Sequence, residues 1–240
     1  MVKKSTRFAT LLASAVLVLM LLPMLMLASC KKAADTASDN PFADVDTATP
    51  HAEDILWLAQ KGISTGWEEA DGTRTFRPYD DVTRGDLAAF LYRLAGSPNY
   101  KPSADDKAYF SDVDESTPHA KEIWWLASRG ISKGWEEADG THTFRPDDNV
   151  TRADLAAFLY RLAGEPAYKP TSAEKRYYSD ISSSSPHANE IWWMASVGIS
   201  KGFEESNGNH AFHPDENVTR ADMAAFLHRM DEKNLVAKTK

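Results

Sequence analysis

Three arginines, Arg84, Arg152 and Arg220, recur 68 residues apart, each in a Thr-Arg-x-Asp setting. The hydroxyl before each one marks a helix start, so the cation would sit in a first helical turn. There it opposes the helix dipole by roughly a few tenths of a kcal/mol. A mild conflict repeated three times invites a chemical reading. Arginine beside free backbone N–H groups suits an anion such as a carboxylate, which its planar fork meets with two hydrogen bonds. The structural alternative pairs each arginine with nearby acids such as Asp80 and Asp81. Trp67 and Trp135 follow a glycine in a loop, where an indole could stack on a sugar face or anchor the loop. Asp44, Asp112 and Asp180 lie just after an aromatic residue and before a helix, placed either to cap a turn or to touch a ligand. Thr83, Thr151, Thr219 and the matching aspartates read as helix caps.

Other chemistries fare worse. His51, His119 and His187 share one register and could hold a metal if three helix starts met on an axis, although solvated positions are far commoner. Glu68-Glu69-Ala70-Asp71-Gly72 lacks the alternating oxygen ligands of a calcium loop. A pair of catalytic carboxylates needs two unlike environments, whereas nearly every acid here has a counterpart 68 residues away. The single cysteine, Cys30, excludes an intramolecular disulfide and CxxC metal sites. Of 240 residues, 27 are Lys or Arg and 35 are Asp or Glu. Residues 1–29 hold three of the basic ones, which leaves the remainder at 24 against 35, or −11. So acidic a chain is a poor general binder of nucleic acid. No cofactor is implied, and the chain reads as non-enzymatic.

The elements that must position these residues come in three copies. Residues 42–96 and 110–164 share 42 of 55 positions without a gap, and a more divergent copy spans 178–231. The last copy has Phe203 where the others have Trp67 and Trp135, and His213 where they have Arg77 and Arg145. Each copy predicts two helices around a structured loop. The first opens at Thr49-Pro50, with the hydroxyl as N-cap and proline at the first helical position. It buries Ile55, Leu58 and Ala59 at helical spacing and ends at Gly62, with Ile63 folding back. The second opens at Thr83-Arg84-Gly85-Asp86, a capping-box pattern with Asp for Glu, and buries Leu87, Phe90, Leu91 and Leu94. Asp71-Gly72 between aromatic positions predicts a tight hairpin. Residues 97–109 and 165–177 read as extended linkers. Trp57, Trp125 and Trp193, with Trp124 and Trp192 beside two of them, read as packing between copies. Two helices of this size cannot bury their own apolar faces, so the copies are expected to pack together. The fold class is mainly α, with a pseudo-threefold arrangement in one chain, an internal trimer within a monomer.

Residues 1–29 have a basic start (Lys3, Lys4, Arg7) and an apolar run from Phe8 to Leu27, the layout of an export signal. The run closes Leu27-Ala28-Ser29-Cys30, which resembles the lipobox of bacterial lipoproteins and implies a lipidated Cys30. The alternative is an uncleaved spanning helix. Residues 30–41 read as a flexible tether.

The repeated pattern Phe-x-Asp-Val, helix, Gly-Ile-x-x-Gly, Asp-Gly-Thr-x-Thr-Phe-x-Pro, Val-Thr-Arg-Ala-Asp-Leu-Ala-Ala-Phe-Leu resembles the S-layer homology domain. The resemblance spans roughly residues 42–231. It implies a pseudo-threefold helical module that attaches non-covalently to secondary cell-wall polysaccharide, often pyruvylated, and it implies a ligand role for the arginine of each Thr-Arg motif. Here Asp86, Asp154 and Asp222 stand where the family has Glu. The resulting expectation is a lipid-anchored protein on the outer face of the cell membrane that holds wall polysaccharide through Arg84, Arg152, Arg220, Trp67, Trp135, Asp44, Asp112 and Asp180. The competing expectation is a scaffold for surface proteins with no glycan role.

Overall fold

The computed structural model describes residues 40–237. The chain from Pro41 onward forms one compact unit with its own core. The expected export signal, the expected lipidation site Cys30 and nearly all of the expected tether lie outside the described residues. No helix among the described residues is long and apolar enough to cross a membrane.

Each copy holds a helix, a two-stranded antiparallel hairpin and a second helix. In the first copy these are α1 (Ala52–Gln60), β1 (Trp67–Glu68), β2 (Arg74–Thr75) and α2 (Arg84–Leu94). The second copy has α4 (Ala120–Ser128), β3 (Trp135–Glu136), β4 (His142–Thr143) and α5 (Arg152–Leu162). The third has α6 (Ala188–Ser196), β5 (Phe203–Glu204), β6 (His210–Ala211) and α7 (Arg220–Glu232). The mainly helical, threefold-repeated fold is the one the sequence predicts.

Local chemistry sets the ends of these elements. Thr83, Thr151 and Thr219 cap their helices by accepting from the backbone N–H of Asp86, Asp154 and Asp222. The reciprocal half of the expected capping box is not made, because the Asp side chains turn outward to other partners. The start of the first helix also differs from expectation. Asp46 Oδ1 accepts from the backbone of Ala48 and Thr49, and Thr49 Oγ1 accepts from the backbone of Asp46. This local turn occupies the hydroxyl that would have capped the helix. The helix therefore begins two residues later, with His51 in the left-handed region at φ 59°. His119 and His187 repeat this at 61° and 56°. The far end is as predicted: Gly62 is left-handed and the Ile63 N–H reaches Leu58 O at 2.9 Å.

The two linkers are more ordered than their composition predicts. Residues 97–109 contain α3 (Ala104–Ala108), closed by a capping box between Ser103 and Asp106. Residues 165–177 contain a single 3₁₀ turn, Glu174–Arg176. Each lays a lysine over the outer tryptophan of the following helix: Lys107 over Trp124 at 5.8 Å and Lys175 over Trp192 at 5.7 Å. A charged side chain can cover apolar surface with its methylene stem.

The copies close into a ring. Helix α2 packs on α4, α5 packs on α6, and α7 returns to α1. Trp125 meets Tyr92 edge-on at 5.2 Å, Trp193 meets Tyr160 at 5.3 Å, and Trp57 stacks on His228 at 4.4 Å. These tryptophans do pack between copies. At the centre, three valines form a cycle of backbone hydrogen bonds: Val82 N–H to Val218 O, Val150 N–H to Val82 O and Val218 N–H to Val150 O, each 2.9 Å. All three valines are buried. Leu87, Phe90, Leu91 and their counterparts are buried beneath the seams, and Leu94 is partly buried.

Because the copies share one core, they should unfold together. Leu91→Ala leaves a void in a side chain that is 0% exposed and should cost about 2–5 kcal/mol. Urea transitions followed by tryptophan fluorescence and by far-UV circular dichroism should still coincide; a first copy that melts separately would refute a shared core.

Candidate functional site

Two requirements place each arginine. The second helix of one copy runs its first turn into the next copy, and its N-terminal N–H groups are consumed there. Arg84 N–H reaches Asp148 O and Gly85 N–H reaches Pro146 O; Arg152 and Ala153 bond Glu216 O and Pro214 O; Arg220 and Ala221 bond Asp80 O and Pro78 O. The expectation of free backbone donors beside the arginine is thus overturned: the seam uses them. With the backbone fixed, each guanidinium lies beneath the neighbouring copy. Arg84, Arg152 and Arg220 are 4%, 4% and 3% exposed. Their Nε donates to Phe144 O, Phe212 O and Phe76 O at 2.7–2.8 Å.

Aromatic rings wrap each cation. Arg220 lies 4.1 Å from the Trp67 ring centroid, and Arg84 lies 4.1 Å from that of Trp135. In the third seam Phe203 replaces the indole, 4.7 Å from Arg152. The loop that carries the tryptophan depends on Gly66. At φ 65°, a Cβ there would come within 2.3 Å of Thr75 O and 2.6 Å of the Phe42 ring. Gly134 and Gly202 meet the same obstruction.

Two of the arginines make ion pairs, with Asp86 and Asp222 and not with Asp80 or Asp81, although Asp80 adds a longer-range attraction on Arg220. Arg220 Nη1 lies 3.7 Å from Asp86 Oδ2, and Arg152 Nη1 lies 3.5 Å from Asp222 Oδ2. The other oxygen of each aspartate meets a histidine of a further copy: Asp86 Oδ1 to His119 Nε2 at 3.4 Å, Asp222 Oδ1 to His51 Nε2 at 3.4 Å, and Asp154 Oδ1 to His187 Nε2 at 3.7 Å. Every seam thus combines an arginine, an aspartate and a histidine from three different copies. The first forms an open pocket of about 200 Å³, whose lining includes Ser64, Gly66, Trp67, Asp86, His119 and Arg220. Burial is the largest influence on each arginine and works against its charge, pulling Arg84 and Arg220 down to about 10 and lowering Arg152 as well. The facing aspartates push back only in part. Each guanidinium keeps terminal N–H groups without a close bidentate partner, which is a receptive state for an incoming carboxylate.

The S-layer homology domain family matches residues 41–88, 109–156 and 177–224, more than half of the chain. The protein belongs to that family. Among similar proteins, an amylopullulanase of Thermoanaerobacterium thermosulfurigenes is 30% identical over 186 residues, 76% of this chain and 9% of its own. A cellulosome-anchoring protein of Acetivibrio thermocellus is 21% identical over 189 residues, 78% of this chain and 40% of its own. Cell surface glycoprotein 1 of the same organism is 33% identical over 101 residues, 40% of this chain and 4% of its own. The chain therefore spans less than half the length of these relatives. The amylopullulanase name carries no activity across a match to 9% of that protein.

The three S-layer homology copies bring the expected residues together in different ways. Each arginine joins the loop aromatic of the neighbouring copy, as the sequence suggests. Asp44, Asp112 and Asp180 are occupied by backbone, although their charges still support Arg220, Arg84 and Arg152: Asp44 accepts from Phe76 N–H and Arg77 N–H at 2.7 Å each, and Asp112 and Asp180 accept from the matching residues. They lock the hairpin to the start of each copy. The aspartates read only as caps, Asp86, Asp154 and Asp222, line the seams instead. The three histidines do not meet on the axis. That place belongs to the valines, with Asp81 accepting from Asn149 and Asn217 beside them. No cluster able to hold a metal exists among the described residues. The histidines and aspartates are identical in all three copies, but so are the flanking Pro50, Ala52, Thr83 and Arg84 and their counterparts, so repetition alone does not single them out.

Two consequences are measurable. Asp112→Ala strands two backbone donors and should cost about 2 kcal/mol or more, read as a fall in the urea midpoint with the helix content intact at zero denaturant. His51 gives the second. Its hydrogen bonds to Asp222 and then Asp54, working against burial, raise it from 6.5 to about 9. The folded value exceeds the unfolded one, so this stabilisation is full below about pH 6.5 and disappears as pH rises through about 9. Native protein should lose stability across that window relative to His51→Asn; equal pH slopes in the two would contradict the assignment.

Proposed function

We propose that the three S-layer homology copies attach this protein non-covalently to cell-wall polysaccharide, with an acidic sugar substituent entering the seam pockets. The observation that carries this reading is the buried arginine of each seam, stacked on an aromatic ring and only loosely met by its aspartate. A guanidinium costly to bury and incompletely paired gains most from a carboxylate that completes its fork. Trp67 and Trp135 offer an apolar ring for a sugar face beside that carboxylate. Small residues in the lining of the first pocket, Ser64 and Gly66, leave room for hydroxyl groups. The names of the similar proteins, a cellulosome-anchoring protein and a cell surface glycoprotein, agree with a role at the cell surface. The chain acts as a monomer whose internal threefold supplies the seams, and it needs no cofactor.

The acidic bulk of the protein gives no long-range attraction to an anionic polymer, so affinity comes from local contacts and withstands moderate salt. A lipidated Cys30 supplies the second attachment, at the outer face of the cell membrane. Two acyl chains hold a membrane firmly, and a tether between two attachments raises the effective concentration of each.

Binding of the chain from residue 41 onward to wall polysaccharide, intact or stripped of acidic substituents, tests the reading. The expected result is retention only by the intact polymer. The triple variant Arg84→Lys, Arg152→Lys, Arg220→Lys keeps the charges but loses the fork, and should weaken binding by about tenfold or more. Equal retention of both polymers, or a triple variant that binds as the native protein does, would overturn it.

A further inference from the structure

The three seams share one plan but are not alike, and the differences gather on the aromatic wall. In the first seam the Trp67 indole meets two guanidiniums, the buried Arg220 at 4.1 Å and Arg77 of its own copy at 4.5 Å. In the second, Trp135 meets Arg84 at 4.1 Å and Arg145 at 4.4 Å. A bracket on the hairpin holds the outer arginine in both. Arg77 Nη2 donates to Glu69 Oε1 at 3.0 Å, and the Thr75 hydroxyl donates to the same oxygen. Arg145, Glu137 and Thr143 repeat this. An indole fixed in this way needs little further ordering when a ligand arrives.

The third copy has lost the bracket. Phe203, Ala211 and His213 stand where the first copy has Trp67, Thr75 and Arg77. With hydroxyl and guanidinium gone, Glu205 accepts from Ser179 and His213 pairs with Glu216. The Phe203 ring is left 42% exposed. It also lies further from its arginine, 4.7 Å from Arg152. A phenyl ring offers a smaller face and a weaker quadrupole than an indole.

The carboxylate wall differs in the same direction. Asp222 lies 3.5 Å from Arg152, and its other oxygen is braced by His51, whose second nitrogen lies on Asp54. Asp86 lies 3.7 Å from Arg220. Arg84 makes no ion pair among the described residues, and Asp154 acts on it only from longer range. An incoming carboxylate therefore meets the strongest competition at the third arginine and the weakest at the second.

We propose that the seams divide into two tight sites and one weak site: the Trp67–Arg220 and Trp135–Arg84 pockets grip the acidic sugar, and Phe203, Ala211 and His213 make the Arg152 pocket a poor one. One chain then holds the polymer firmly at two points. The three residues of the last copy are specificity-determining positions. This inference rests on the reading of the seams as acidic-sugar pockets.

Titration calorimetry with short fragments of wall polysaccharide, each bearing one acidic substituent, counts the sites. Native protein should bind two fragments tightly and a third at least about tenfold more weakly. Three double variants then isolate one seam each. Arg84→Lys with Arg152→Lys spares the first, and Arg152→Lys with Arg220→Lys spares the second; each should keep one tight site. Arg84→Lys with Arg220→Lys spares the third and should keep only the weak one. The triple variant Phe203→Trp, Ala211→Thr, His213→Arg gives the third copy the residues of the first and should bind three fragments tightly. Because it gains a site, its result cannot come from lost folding. Three equal sites in native protein, or a triple variant that still binds two, would overturn the division and leave the seams as acidic-sugar pockets. Native protein that binds no fragment would overturn the pocket reading and the division with it.

Discussion

The ring depends on a single use of backbone chemistry. Every helix leaves its first N–H groups without intrahelical partners, and here those of α2, α5 and α7 are satisfied by carbonyls of the adjacent copy. The valine cycle at the centre extends the same principle, since each copy donates to one neighbour and accepts from the other. Separating the copies would leave these donors unpaired and expose the apolar faces of all the helices. The seam is thus a condition of folding, and the pockets exist because the seam does.

The arginine follows from that arrangement. Its helix cannot shift, so its side chain cannot leave for solvent. It sits among rings, with Nε committed to a carbonyl and a single loosely placed carboxylate opposite. A hydrophobic residue of the same size would pack there at less cost. Retaining a cation at all three seams makes sense where charge is wanted, and it ties the composition of the pocket to the geometry of the ring.

Much of this was legible in the sequence. The 68-residue period fixed the number of copies, and helical spacing located the buried faces, because Ile55, Leu58, Leu87 and Leu91 report burial directly. Pairing the arginine with an aromatic of the adjacent copy needed only the idea that short helical pairs share a core. Three features were hidden. The start of the first helix moved because Asp46 and Thr49 bond each other, and two good capping residues close together leave the winner undecided. The first linker acquired a helix because Ser103 and Asp106 form a box that proline- and lysine-rich composition obscures. The aspartates of the Thr-Arg-x-Asp motif looked complete as caps, since nothing local reveals that their side chains turn toward two other copies.

The closing contact between α1 and α7 differs in kind from the other two. A linker covers the outer tryptophan of α4 and α6, whereas α1 carries Leu56 at that position and meets α7 through contacts such as Asp54–His228 and Lys61–Asp231. The ring is topologically open at this junction, and chain connectivity supplies none of its closure. A circularly permuted chain, threaded second copy, third copy, first copy with a new connection across the gap, would present every seam with the same partners. The order of the copies along the chain can therefore shift cyclically while the architecture is preserved.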